Sequence, residues 1–181
     1  MKTKNEIISD YEALWQEIAE MVSPLSAEQF TSKPKAETWS VAEEFDHIIK
    51  SASAVSSALK VWPFILKWKF GKPNRPIRNY ELIHTKFTNA LASVNVKAKA
   101  PAKFKSEDNK VFNKKEMLSH WNSTLAKFDQ RINKWSDKNL DKVLLPHPLL
   151  GKMMVREMLY FTHIHTSHHV VSLKRKVAVL N

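Results

Sequence analysis

The sequence predicts an all-α protein, a four-helix bundle with a long crossover between its second and third helices. Four stretches repeat apolar side chains with the period of a helix that buries one face. Gly71 and Gly151 are the only glycines, which argues against a turn-rich β fold and against a glycine-rich phosphate loop. The length of 181 residues fits a single helical domain over residues 1–181 with a core of its own.

The absence of cysteine excludes several kinds of chemistry. Disulfides, thiolate metal ligands and a cysteine nucleophile are all ruled out, and the composition is compatible with the cytoplasm, where we expect the protein. The N-terminus shows no signal-peptide pattern. No apolar run approaches the roughly 18 residues that a membrane span requires.

The positive charge is concentrated in the middle of the chain. The formal net charge is +11, and residues 60–115 hold 14 lysines and arginines against 3 acidic residues, so the remainder is neutral. Such a segment suits nucleic acid, anionic lipid or an acidic ligand, or it is simply a solvated lysine-rich surface. Because no helix-turn-helix or aromatic RNA-binding motif accompanies it, nucleic acid is not the partner we expect.

The first two long helices are predicted from apolar spacing and end signals. The first covers about residues 5–22 and stops before Pro24, and a connector with one short helical turn follows. The second begins after Ser40, whose side chain caps it, and Glu43 three residues later completes a capping box. Its polar stripe carries Glu43, Glu44 and His47. Therefore His47 lies either at the surface or in an internal pocket lined by that stripe.

The crossover is the least regular part of the sequence. Residues 62–68 form an aromatic and basic patch, of which the simplest interpretation is a lid over one end of the bundle. A short helix is predicted around residues 80–91, and residues 97–110 indicate an extended basic connector.

Two further long helices complete the bundle. The third is expected to begin after Asn113, a suitable N-cap, and to end near Ser136. Residues 144–148 indicate a rigid extended loop, and Gly151 precedes the fourth helix. No proline or glycine follows Lys152, so the fourth helix can continue uninterrupted.

A histidine cluster on the fourth helix is the strongest candidate site. Residues 158–172 contain four of the eight histidines. His165 and His169 share one helical stripe with His168 beside them, whereas His163 points to nearly the opposite side. Two histidines at this spacing can bind one divalent metal, and they can equally be buried, hydrogen-bonded side chains. With His47, the pair would supply three nitrogen ligands and leave coordination positions open, as in catalytic sites.

Three segments resemble motifs of the DinB-like family. Trp39-Ser-Val-Ala-Glu-Glu-Phe-Asp-His47 resembles the signature that opens the second helix of these proteins. Residues 147–169, a His-Pro-x-x-Gly loop leading into a helix that ends in His-x-x-x-His, are similar to the C-terminal signature of one branch. The connector Leu25-Ser-Ala-Glu-Gln-Phe also fits. The resemblance extends from the first helix to about Ser172 but matches little of the basic middle.

The resemblance implies a DinB-like four-helix bundle, often a homodimer, with a divalent metal on three histidines. Carried over by position, the ligands are His47, His165 and His169, and the metal is zinc or nickel. Some members resemble thiol-dependent S-transferases that work with a low-molecular-weight thiol, and others resemble metal-dependent hydrolases; either kind would act on a small molecule. Many members have glutamine where this chain has Ser172.

Two side chains are candidates for catalysis, and one alternative needs no catalysis. Glu43 or the adjacent Glu44 could act as a general base or as the partner of a ligand histidine, although the capping box alone accounts for Glu43. His168 is either an acid–base group or a surface residue. Whether the protein is an enzyme stays open, because it could also be a stress-response or binding protein that uses the basic segment and no functional metal.

Overall fold

The computed structural model describes residues 1–35, 37–93, 101–107 and 110–180. Within these residues the chain forms eight α-helices, one 3-10 turn and two short strands, and the all-α fold class is confirmed. In chain order they are α1 Lys4–Val22, α2 Ala27–Thr31, α3 Val41–Ala58, α4 Pro63–Phe70, α5 Tyr80–Ser93, the 3-10 turn Ala102–Phe104, α6 Lys114–Asn133, α7 Asp137–Leu140, β1 Leu144–His147, β2 Gly151–Met154 and α8 Val155–Leu180.

The core lies between the four long helices. The helices α1 and α3 each contact both α6 and α8. The ring of Trp15 on α1 lies edge-on to Trp121 and Phe128 of α6, with centroids 4.9 and 5.4 Å away. Phe45 of α3 meets Trp121 at 5.4 Å, so aromatic side chains from three helices fill the centre. Rings in such edge-on arrangements add to the free energy gained from burial alone.

The helix starts follow the predicted capping signals. The Ser40 side chain accepts a hydrogen bond from the Glu43 backbone N–H, and the Glu43 carboxylate accepts one from the backbone N–H of Ser40. Asn113 caps α6 in the same way by accepting from the Glu116 N–H. These caps fix where α3 begins and therefore which of its side chains face inward.

Residues 144–154 differ from the predicted loop. They form an antiparallel hairpin in which Leu144 pairs with Met154 and His147 with Gly151. Gly151 has a φ of +71°, which a residue without a Cβ adopts easily. The fourth long helix consequently begins at Val155, whose N–H donates to the carbonyl of Val143.

The crossover between α3 and α6 packs against the long helices and the hairpin. The helix α5 packs on α8, and α4 contacts β1. Of the predicted basic connector 97–110, residues 97–100, 108 and 109 lie outside the described residues. In the part of the chain that is described, every helix is too short or too polar to cross a bilayer.

Candidate metal centre

Three histidines from two helices meet where α3 packs against α8. His47 comes from α3, and His165 and His169 lie one turn apart on α8. The Nε2 atom of His165 lies 3.1 Å from Nε2 of His47 and 3.3 Å from Nε2 of His169. Nitrogens bound to one tetrahedral zinc ion, each at about 2.0–2.1 Å, lie roughly 3.3 Å apart. Two of the three nitrogen–nitrogen distances therefore match those of ligands around a single ion, and all three ligand atoms lie within 4.8 Å of one another.

Hydrogen bonds fix the outer nitrogens of two of these rings. The Nδ1 atom of His47 lies 3.0 Å from the carbonyl oxygen of Phe104. The Nδ1 atom of His169 lies 2.7 Å from Oε1 of Glu44. A carbonyl and a carboxylate both accept, so each Nδ1 carries the proton and donates. In the neutral rings the Nε2 atoms of His47 and His169 then present lone pairs.

The remaining polar atoms of the cluster are not satisfied by the protein alone. Nδ1 of the His165 ring is buried and has no hydrogen-bond partner among the described residues, and an ion bound at Nε2 would not supply one. A proton on Nε2 of His165 could bridge to one neighbouring Nε2 but would leave the other lone pair unpaired. A cation in the centre accepts all three lone pairs at once. The donor set therefore fits a divalent metal better than it fits a hydrogen-bonded histidine cluster.

Burial holds the rings of His47 and His165 in the neutral form that a metal requires, because it lowers the pKa of both. Burial and the neighbouring His169 ring lower the pKa of His47 to about 4. Burial, with the other histidines, also holds the pKa of His165 well below its usual value. Neutral imidazoles have a free lone pair near pH 7, so they do not release a proton when they bind an ion.

Comparison with known proteins gives one match. A model of the DinB superfamily matches residues 10–171. The chain belongs to the DinB superfamily. No curated protein and no solved structure matches the chain. The family resemblance read from the motifs is therefore confirmed, and the matched range contains all three histidines of the cluster.

Glu44 is the carboxylate that supports the histidines of this DinB-superfamily protein. Besides His169, it accepts a hydrogen bond from Oγ of Ser172 at 2.9 Å and pairs with the ammonium of Lys176. Burial alone would raise the pKa of Glu44, but the bonds from His169 and Lys176 lower it, so the group is a carboxylate. Ser172 thus donates a hydrogen bond to this carboxylate, at the position where many relatives are expected to have glutamine.

The crossover supplies the partner of His47. Asp46 accepts from Oγ of Ser106 and pairs with Lys110, both at 2.8 Å. Lys50 donates to the carbonyl of Lys105 at 2.6 Å. These bonds hold the crossover against α3, so the Phe104 carbonyl stays at His47. The Trp39 ring of the N-terminal motif covers the other side of His47, with its centroid 5.2 Å away.

A cavity of about 740 Å³ opens onto the histidines. Its wall is largely apolar, and representative lining residues are Val55, Leu66, Phe87, Leu91, Met158 and Phe161. His147 also lines it, with its ring 4.1 Å from that of Phe161 and its Nδ1 accepting from the N–H groups of Leu149 and Leu150. Burial lowers the pKa of His147 to about 4.

The structure separates the two candidates for catalysis. The carboxylate of Glu43 is used by the helix cap and by Lys33 at 2.9 Å, and Glu43 does not line the cavity. His168 does line the cavity, 5.5 Å from the His169 ring between centroids, although much of the residue is exposed. Burial and His169 lower its pKa. A catalytic role stays a prediction for both residues.

Three other histidines, His84, His120 and His163, lie outside the cluster. His163, on the opposite side of α8, has its Nδ1 3.0 Å from the hydroxyl of Tyr80 and its ring edge-on to Tyr11. His84 and His120 are exposed. The Phe104 carbonyl is the contact that sequence reasoning missed, and no side-chain signal could have found it because every residue carries a carbonyl.

Proposed function

We propose that this DinB-superfamily protein is a metal-dependent enzyme that acts on a small molecule through one divalent ion held by His47, His165 and His169. The observation that carries the proposal is the convergence of three Nε2 atoms at 3.1 and 3.3 Å, with two of the outer nitrogens already engaged. Three imidazoles suit zinc and nickel equally, so either metal fits.

The protein groups around the ion have distinct tasks. A divalent metal in this position would supply Lewis acidity, which lowers the pKa of a water molecule or stabilises a substrate thiolate. Glu44 and the Phe104 carbonyl orient His169 and His47 and make their Nε2 atoms better donors. Because Glu44 already serves His169, Ser172 and Lys176, we assign it to positioning and not to proton transfer.

We assign the role of proton acceptor to His168. Its ring lines the cavity beside the cluster, and its lowered pKa keeps it neutral near pH 7. A neutral imidazole that touches both solvent and cavity can take a proton from a substrate and release it to water. The reaction is hydrolysis or thiol transfer.

The cavity wall favours a mainly apolar substrate. A volume of about 740 Å³ accommodates a molecule of drug-like size. Aliphatic and aromatic side chains form most of the surface beyond the histidines, so a highly charged substrate would lose hydration there without compensation.

Elemental analysis of the purified, untagged protein tests the proposal. We expect zinc or nickel in equimolar amount, and loss of that metal in His165→Ala. The matched control is His120→Ala, because His120 is an exposed helical histidine outside the cluster. Metal-free protein after growth and dialysis with both metals, or equal metal content in the two variants, would refute the proposal.

A further inference from the structure

The helix α4 has an unusual distribution of side chains. Its sequence, Pro-Phe-Ile-Leu-Lys-Trp-Lys-Phe, is apolar apart from two lysines, yet Leu66 is its single buried residue. Trp68 is 87% exposed, Phe64 is 67% exposed, and Trp62 at the N-cap is 70% exposed. A helix that is apolar all round normally lies in a protein core or in lipid, so this one requires an explanation.

The outward orientation of these rings is fixed by the fold. Leu66 packs into the core, and Nζ of Lys67 donates to the side-chain oxygen of Asn139 at 2.9 Å. The carbonyl of Phe70 accepts from Nζ of Lys152 at 2.9 Å. With its inner side held in this way, α4 presents Trp62, Phe64 and Trp68 outward on a firmly attached helix.

The surroundings of the exposed rings are strongly positive. Between Lys60 and Tyr80 the sequence has six lysines and arginines and no acidic residue. Lys60, Lys69 and Lys72 are exposed, and none of them forms an ion pair with a described residue. The surface made by these three lysines and the rings of Trp62, Phe64 and Trp68 is called the α4 face below.

We propose that the α4 face docks the protein on an anionic lipid surface. Indole and phenyl rings partition into the zone between lipid head groups and acyl chains, and lysines beside them pair with anionic head groups. Each lysine near such a surface strengthens binding about fivefold. Three exposed rings, and three lysines that form no ion pair with a described residue, thus supply both of the attractions that interfacial binding needs.

Two other occupants fit the α4 face less well. A second copy of the chain would bring two sets of unpaired lysines together, which is unfavourable. Three aromatic rings, mostly exposed, offer roughly 400–500 Å² for each chain, below the roughly 800 Å² per partner of a stable interface. Nucleic acid would satisfy the lysines, but rings projecting from a short helix provide no groove for a strand.

Docking on this face would also place the cavity near the lipid. Ile65, Leu66, Lys69 and Phe70 of α4 line the cavity that opens onto the histidines, so Lys69 lies at the edge of both surfaces. An apolar molecule could therefore pass from the lipid along the wall of α4. The proposal does not depend on the metal, because no residue of the α4 face is a metal ligand.

Vesicle flotation tests the proposal. We expect the protein to float with vesicles of equal parts phosphatidylcholine and phosphatidylglycerol, more weakly in high salt, and to remain behind with phosphatidylcholine alone. Lipids brominated on the acyl chains should quench part of the tryptophan fluorescence. Trp68→Ala combined with Phe64→Ala should weaken binding more than tenfold, and Lys60→Gln with Lys72→Gln should weaken it roughly 25-fold.

The controls decide between the possible occupants. Val111→Ala removes a side chain that is 91% exposed but lies outside α4, so it should leave vesicle binding unchanged. The proposal is overturned if the protein stays behind with both kinds of vesicle. It is equally overturned if Trp68→Ala abolishes a dimer seen by sedimentation, or if vesicle binding occurs without quenching and a DNA duplex competes it away. The metal content of the same samples is measured separately, so failure of lipid binding and absence of metal are distinguishable.

Discussion

Two buried polar clusters lie on α8, and they differ in how completely the protein satisfies their hydrogen-bonding atoms. In the first turn, the carboxylate of Glu157 is fully buried and accepts hydrogen bonds from the guanidinium groups of Arg75 and Arg78 at 2.5–3.1 Å. The backbone N–H groups of Arg78 and Met154 donate to it as well. Two turns later, His165 and His169 direct their Nε2 atoms at each other and at His47.

The difference is between a cluster that the protein completes by itself and one that has room for a ligand. Every acceptor of Glu157 has a donor, so the cluster is complete without any further component. The histidine cluster has Nε2 lone pairs that face one another, and a single shared proton cannot satisfy all of them. A buried polar group without a hydrogen-bond partner costs free energy unless a ligand supplies the missing contact. We therefore expect changes at Glu157 to alter folding, and changes around the histidines to alter metal binding.

The largest effect on folding is expected from Glu157→Ala. The substitution leaves two guanidinium groups without their shared carboxylate, and breaking such a buried pair costs about 3–5 kcal/mol. Chemical denaturation measures the loss in free energy of unfolding. The control, Glu81→Ala, removes an exposed carboxylate from the first turn of α5 and should change it by less than about 0.5 kcal/mol. Metal content should stay at the wild-type level in the fraction that folds; its loss would show that the clusters are not separate.

The pH dependence of stability should also follow Glu157. Burial alone would raise the pKa of Glu157, but Arg75, Arg78 and two backbone N–H groups lower it to about 2 from 4.5. The carboxylate therefore contributes stability above the unfolded pKa near 4.5, and the contribution is lost as the pH falls toward 2. The difference amounts to roughly 3 kcal/mol. Denaturation midpoints of wild type and Glu157→Gln should converge over that acid range, and parallel curves would contradict this assignment.

Much of the helical frame could be predicted from end signals, because caps are local. The structure reproduces the predicted starts of α3 and α6, which are marked by Ser40 with Glu43 and by Asn113 with Glu116. The hairpin of residues 144–154 could not be predicted, since each strand has four residues and an apolar pair such as Leu144-Leu145 has no helical or strand period.

The candidate site could likewise be predicted only in part. Helical spacing predicted His165 and His169 on one stripe, with His47 as a third nitrogen ligand, and the family motif gave the same three residues. Sequence could not choose between Glu43 and Glu44 as the partner of a histidine, because a shift of one residue turns the side chain about 100° around the helix. The partners of Glu157 lie 79 and 82 residues away in the crossover, a separation that no local pattern reports.

Glu44→Gln tests the histidine cluster without removing a ligand. An amide still reaches Nδ1 of His169 but loses the negative charge, so the ring becomes a weaker donor. We expect metal affinity to fall by about 10–100-fold, as for other outer partners of metal-bound histidines. Competition with a chromophoric chelator measures the affinity. Glu157→Gln is the matched buried glutamate on α8, and an equal loss of affinity in both variants would remove the distinction between the clusters.

Glu43→Ala should have the smallest effect, and it compares neighbouring glutamates on one helix. Glu43 closes the capping box with Ser40 and pairs with Lys33 at its partly exposed surface. Its loss should lower the free energy of unfolding by about 1 kcal/mol or less, because the cap is one partly solvated hydrogen bond and the ion pair is screened. Metal affinity should not change, since the carboxylate contacts none of the three histidines. If Glu43→Ala instead weakened metal binding as strongly as Glu44→Gln, the contact between Glu44 and His169 would not distinguish the two glutamates. Glu43 would then belong to the reactive centre as well.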